Sequence, residues 1–138
     1  MTIKFKRGSW TFAGKVPTKF NNHVKKSVPY YNECHNLINQ LSDFFLNNNS
    51  ICYDLGCSTS TLLIKLSKFT NKKNIQFIGI DLEKEMIEFS KKIIKSKKIK
   101  NIKVFCKDIT KYKLQKSNLI ISYYTIQFVN PAYRQKLI

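Results

Sequence analysis

A chain of 138 residues, 43% of them apolar, can build one domain with a real core but is short for a complete doubly wound sheet. No stretch approaches the roughly 18 consecutive apolar residues of a membrane span, and Met1-Thr-Ile-Lys-Phe-Lys-Arg7 lacks the apolar centre of a signal peptide, so a cytoplasmic protein with no membrane partner is expected. The net charge of +17 invites a nucleic-acid reading, yet nearly all the basic residues are lysine, with Arg7 and Arg134 as the arginines, and Asn, Ile, Phe and Tyr crowd beside them as an AT-rich coding sequence would dictate.

Residues 1–31 read as a basic, aromatic N-terminal flank or lid. In it Trp10, Phe12, Val16, Phe20 and Val24 recur at spacings that suit partial helix and docking on a core. Residues 32–138 read as the domain proper. From Asn32 to Asn47, Cys34, Leu37, Ile38, Leu41, Phe44 and Phe45 follow the i, i+3, i+4, i+7 pattern of a buried helical stripe, which Asn47-Asn-Asn-Ser50 ends. A buried strand follows from Ile51 to Leu55, then a polar loop and a helix over 59–69 whose Leu62, Leu63, Leu66 and Phe69 face a sheet.

The second strand is expected over 75–80 and a third helix over 83–96, packed through Met86, Ile87, Ser90, Ile93 and Ile94. Ile102–Cys106 is a third strand and 118–123 a fourth. Pro131 suits the first turn of a further helix. Strands alternating with helices imply right-handed crossovers and a parallel sheet, an α/β fold. The densest basic run, 91–103, falls on the end of a helix and its exit loop, where a solvated face is the plainer reading than an RNA-binding patch.

The four cysteines form no C-x-x-C pair and have no histidine at zinc-finger spacing, so neither a metal nor a disulfide framework is indicated. Cys52 and Cys106 fall within strands as small apolar core residues, and Cys57 lies in the polar loop. His23 and His35 are isolated and read as incidental.

Ligands of such sheets bind outside the carboxyl ends of the strands, where the strand order reverses. Gly56 to Ser58, Asp81, Asp108 and Tyr123 all fall at those ends. Gly56 offers close backbone approach, and Asp81 stands slightly beyond the place of a ribose-binding carboxylate. The loop Gly56-Cys-Ser-Thr-Ser-Thr61 has one glycine where a dinucleotide fold wants three, and no Gly-Lys-Ser/Thr follows it. A nucleoside ligand without phosphates remains, with S-adenosyl-L-methionine (SAM) the leading member, beside the alternative of a purely structural turn in an unrelated α/β sheet.

These residues resemble one family in particular, the carboxy-S-adenosyl-L-methionine synthases of tRNA wobble-uridine modification, relatives of the SAM-dependent methyltransferases. The likeness runs through Trp10-Thr-Phe12, Lys26-Ser-Val-Pro-Tyr-Tyr31, Tyr53-Asp-Leu-Gly-Cys-Ser58, Gly79-Ile-Asp81, Met86-Ile87, Asp108-Ile109 and Thr125-Ile-Gln-Phe128 to Arg134-Gln135. It implies a Rossmann-like methyltransferase fold with helices on both faces of a parallel sheet. It also implies a cytoplasmic transferase that turns SAM and prephenate into carboxy-SAM and phenylpyruvate, the deprotonated SAM methyl capturing the carboxyl group that prephenate loses.

Carried over by position, Tyr31 contacts the amino-acid end of the ligand, and Gly56, Cys57 and Ser58 form the loop beneath it. Asp81 takes the ribose hydroxyls with Leu82 flanking them, and Asp108 and Ile109 bracket adenine. Tyr123 stands where the family has asparagine, and Leu82 where asparagine is usual. The family also continues well beyond Ile138 with further strands and an arginine for the transferred carboxylate, so the chain reads as a truncated N-terminal part whose fourth strand lies at an open edge. A homodimer follows as an expectation. No catalytic acid or base is indicated. An ordinary SAM-dependent methyltransferase and a non-catalytic RNA- or SAM-binding module stay open beside this reading, as does direct tRNA binding.

Overall fold

In the computed structural model, which describes residues 16–138, the apolar runs become four parallel strands: β1 (Ile51–Leu55), β2 (Gln76–Asp81), β3 (Ile102–Cys106) and β4 (Leu119–Ile121). Their order is β3-β2-β1-β4. Register places Leu55 beside Ile80, Asp81 beside Cys106 and Asp54 beside Ile121, so the carboxyl ends of all four strands share one rim. The order reverses between β1 and β4, which opens a crevice there. This is the Rossmann-like α/β arrangement the sequence implies.

Among the described residues, five α-helices accompany the sheet: α1 (Val16–Ser27), α2 (Tyr31–Ser42), α3 (Thr61–Phe69), α4 (Lys84–Ser96) and α5 (Pro131–Leu137). Leu63 and Leu66 of α3, Phe77 of β2 and Ile87 of α4 are wholly buried in the larger core, on one face of the sheet. Each such side chain contributes roughly 1.5–3 kcal/mol relative to exposure. The opposite face carries Tyr53, Leu55, Ile78 and Ile80, covered by Ile109, Tyr112 and Leu114 of the irregular β3–β4 crossover and by Leu137 of α5. The Gln115 backbone N–H donates to the Tyr53 hydroxyl at 3.3 Å and ties that crossover to β1. As Pro131 foretells, α5 starts with proline in its first turn, and the side chain of Asn130 accepts from the Ala132 N–H at 3.0 Å.

Within the flank, 16–27 is a helix that packs on α4 and α2, in keeping with the partial helix expected there, while Trp10 and Phe12 lie outside the described residues. Other expectations need correction. The stripe of α2 faces the core in part, through Ile38. Its buried residues are His35, Asn39 and Ser42, whereas Leu37, Leu41, Phe44 and Phe45 are between 47% and 83% exposed. Periodicity finds the apolar stripe of a helix but not what covers it. The helix also stops at Ser42, with 43–45 in a turn. Phe69, at the end of α3, is about half exposed, and Cys106 is exposed at the carboxyl end of β3, past the buried Ile102 and Val104.

Candidate functional site

The loop after β1 is shaped by contacts from distant parts of the chain. The Gly56 and Cys57 N–H groups both donate to the Ile80 carbonyl of β2, at 2.7 and 3.1 Å. Gly56 has φ 83°, in the left-handed region, and a Cβ there would collide with the Thr125 side chain. Both constraints demand glycine. Cys57 is buried with its Sγ turned toward Gly79, where an added Cβ would lie 2.7 Å from the sulfur, so this residue offers the ligand its backbone rather than its thiol. Burial pushes that thiol well above its ordinary pKa, with Asp54 and Asp81 adding to the effect. Ser58 and Ser60 take φ 48° and 59°, strained values for side-chain-bearing residues and a pattern that clusters at ligand sites. The Ser90 hydroxyl of α4 donates to the Ser58 carbonyl at 2.8 Å and holds the loop down.

Asp81 closes β2 beside that loop. Its two carboxylate oxygens each accept a backbone N–H, Oδ2 from Ser58 at 2.8 Å and Oδ1 from Glu83 at 2.9 Å. Burial raises its pKa, and hydrogen bonds from the Glu83, Ser58 and Leu82 backbone oppose the rise. A carboxylate oxygen has room for two donors, so the fixed Asp81 can still accept a pair of ligand hydroxyls. Leu82 is 67% exposed beside it.

Asp54 was not singled out as a site residue by the sequence, though it lies two positions before Gly56. It is 3% exposed yet lines the cleft, no described residue hydrogen-bonds its carboxyl group, and burial followed by the nearby Asp81 charge pushes its pKa up to about 7. Two buried carboxylates in the floor repel a phosphate and suit a cationic ligand.

Asp108 stands at the exit of β3, where its Oδ1 accepts the Thr110 N–H at 2.9 Å and the Thr110 hydroxyl at 2.6 Å. Those bonds hold its carboxyl below the usual range. Its structural role is to cap the turn 108–112, and Ile109 packs into the second core while both residues line the cleft.

Across the switch point, Tyr31 at the start of α2 packs on His35 with ring centroids 4.2 Å apart and approaches Tyr123 at 6.0 Å. Tyr123 in turn meets His35 at 5.4 Å and Tyr124 at 5.0 Å. Burial and the Asp54 charge push the Tyr31 phenol up to about 12. His35, read as incidental, is 1% exposed and held neutral, its pKa lowered to about 4 by burial and by Lys65 and Lys25.

The structure thus gathers Tyr31, Gly56, Cys57, Ser58, Asp81, Leu82, Asp108, Ile109 and Tyr123 around one cleft of about 1270 Å³. It adds Asp54, Thr125, Gln127 and a wall from α1, including Phe20, His23 and Val24. That wall is anchored through Asn21, whose Oδ1 accepts from the Thr59 and Thr61 hydroxyls at 2.9 and 3.0 Å. The cradle under Gly56, the fixed Asp81 and the carboxylate floor fit a cationic nucleoside such as SAM.

The family model for the methyltransferase domain matches residues 46–137. A carboxy-S-adenosyl-L-methionine synthase of Sulfurimonas denitrificans is 39% identical over 132 residues, covering 92% of this chain and 53% of that protein. One from Staphylococcus epidermidis is 35% identical over 130 residues, covering 94% and 55%. The chain spans about half the length of these curated relatives. A solved structure from Methanococcus maripaludis, named for S-adenosyl-L-methionine-dependent methyltransferases, aligns with a TM-score of 0.73 over 99% of this chain and 60% of that one, at 19% identity, a likeness of fold alone.

Proposed function

The chain belongs to the methyltransferase-domain family, and from that premise we propose that it binds SAM in the cleft between β1 and β4 and acts as the ligand-binding part of a carboxy-SAM synthase. The observation that carries the reading is Asp81, buried at the end of β2 with one oxygen on the Ser58 N–H and the other on the Glu83 N–H, beside a glycine loop with no pyrophosphate cradle. Gly56 to Ser58 would underlie the amino-acid and sulfonium end, and Asp108 and Ile109 would flank adenine. Bound SAM supplies an acidic methyl group next to sulfur. This chain's contribution is to orient that group, keep Asp54 close to the ligand's positive charge and exclude water with the α1 wall.

Sequence likeness to the two synthases supports the finer reading, in which prephenate gives up its carboxyl group to the methyl carbon and leaves as phenylpyruvate and water. The product would serve tRNA wobble-uridine modification in the cytoplasm. An ordinary methyl transfer is the second reading, favoured by the breadth of the matching family. A homodimer joined through the open side of the sheet belongs to the same proposal.

Calorimetric titration with SAM tests the site. Micromolar binding that weakens about a hundredfold in Asp81→Ala is expected, since two ligand hydroxyls lose a charged acceptor. A folded chain that binds SAM equally well after that change would overturn the assignment. Mass spectrometry of a reaction with SAM and prephenate tests the chemistry. Carboxy-SAM supports the synthase, and S-adenosylhomocysteine formed with an acceptor supports methyl transfer.

A further inference from the structure

We propose that the amino-terminal rim of the sheet, the end opposite the cleft, binds single-stranded nucleic acid, with its lysines on the phosphates and the exposed rings of Phe44, Phe45 and Phe69 stacked on the bases. The rim residues that would do so line no part of the SAM cleft.

Because all four strands are parallel, the loops that lead into them lie together at this rim. Those loops carry Lys72 and Lys73 before β2, Lys97, Lys98 and Lys100 before β3, and Lys116 before β4, against one acid, Asp43. The opposite rim is mixed, with Asp54, Asp81, Glu83 and Asp108 beside Lys107 and Lys111. An AT-rich coding sequence explains how many lysines the chain has but not why they gather at one end. Among the described residues, Lys72 is tied to Asp43 at 3.6 Å, whereas Lys73, Lys97, Lys98 and Lys100 enter no ion pair. Their ammonium groups are open to phosphate oxygens, and each phosphate neutralised releases counterions.

The loops before β1 and β2 are braced into one surface. The Asn49 N–H donates to the Lys73 carbonyl at 2.9 Å, the Lys73 N–H to Asn48 Oδ1 at 2.8 Å, and Asn74 Nδ2 to Asn49 Oδ1 at 3.1 Å. Rings stand open beside this brace. Phe44, next to Asp43, is 83% exposed, Phe45 is 54% exposed, and Phe69, at the end of the helix before Lys72, is 49% exposed. A base of any identity can stack on such a face. Asn74 also lines a hollow of about 320 Å³ between the amino ends of β2 and β3, with Gln76, Lys100, Asn101 and Lys103. Its ammonium and amide groups are the donors that a phosphate takes.

Lysine is a point charge without the planar fork of arginine, and stacking does not read base edges, so the rim suits a polynucleotide without regard to sequence. A duplex would hide its bases from the rings, which favours single strands.

Fluorescence anisotropy with labelled oligo-dT and oligo-U of about twelve nucleotides tests the surface. Both should bind with micromolar affinity. With about four phosphates neutralised, that affinity should fall roughly fiftyfold between about 50 and 200 mM salt. Phe44→Ala, at a position too exposed to matter for folding, should weaken binding about five- to tenfold and leave the salt dependence unchanged. Lys97→Gln, Lys98→Gln and Lys100→Gln together should weaken binding and flatten the salt dependence. Lys107→Gln, Lys111→Gln and Lys136→Gln together remove the same charge from the cleft side and should change little. A preference for oligo-U or for oligo-dT would support the surface and name RNA or DNA as its source. Equal losses in the two triple variants would overturn the rim in favour of general attraction to a basic chain. Polyglutamate that competes as well as either oligonucleotide would overturn the stacking and point to an acidic protein. Absence of binding at about 50 mM salt would overturn the proposal outright.

Discussion

Burial holds the Asp54 carboxyl up at about 7 and the His35 imidazole down at about 4, and the two shifts act on stability with opposite signs. The folded state keeps the Asp54 proton longer than the unfolded chain does, so this group lowers stability as pH rises from about 4 to about 7. His35 is protonated more readily when unfolded and lowers stability as pH falls from about 6.5 to about 4. Across that interval the two contributions oppose one another in the parent chain. Asp54→Asn should gain on the parent steadily between pH 4 and 7 and hold its lead above, and His35→Phe should gain on the acid side. A midpoint difference for Asp54→Asn that is independent of pH would contradict the raised pKa of the buried carboxyl. Gly56 gives a second prediction. Gly56→Ala faces both a left-handed φ and the Thr125 side chain, and should cost about 1–3 kcal/mol in urea unfolding. Adding Thr125→Ala removes the collision but not the dihedral strain, and should restore part of the loss.

At the scale of elements, β1, α3, β2, α4 and β3 lie within one or two residues of where apolar periodicity puts them, because each buries its own pattern locally. The face that α2 turns inward was less legible. The α2 pattern names a stripe, but orientation is decided by the cleft, which draws in Tyr31 and His35, and by α3. The site residues found by reading were those at strand exits. Those missed act through space. Thr125 wedges against Gly56 from 69 positions away (125 − 56), and Asn21 of α1 receives two hydroxyls from the loop leading into α3. No spacing rule connects such partners. Loss of that acceptor in Asn21→Ala should cost about 1–3 kcal/mol, and hydrogen exchange should quicken in α1 before the strands respond. Exchange that quickens everywhere at once would show that α1 does not open as a separate unit.

For the whole molecule, the two edges of the sheet differ in chemistry. The β3 edge carries Lys103, with Lys100 and Lys107 on either side, the charged guard that keeps an edge from recruiting another strand. The β4 edge is Leu119-Ile-Ile121 without a charge, and Ile120 is 49% exposed. Among the described residues, the exposed Leu37, Leu41, Phe44 and Phe45 add to the same deficit of cover. Light scattering should show dimers that Ile120→Lys disperses without lowering the thermal midpoint. Because each copy carries +17, self-association should rise as salt is raised from roughly 20 to 300 mM and repulsion is screened. Any RNA retained by the lysine-rich surface should fall over the same range. Association that weakens with salt would point to a charged contact in place of the apolar one.

The wedge of Thr125 against Gly56 also bears on the order in which the protein comes into being. The loop after β1 draws its hydrogen bonds from Ile80 and Asp81 and its steric limit from Thr125. On the ribosome, then, a chain with β1 and α3 already emerged has the sequence of the loop but not its shape. That shape awaits β2, and the facing wall of the cleft awaits the segment after β4 with Tyr123, Tyr124 and Thr125, so binding competence arrives late in synthesis and with non-local, slow-forming contacts. A nascent chain interrupted before residue 125 would display folded helices and a silent pocket.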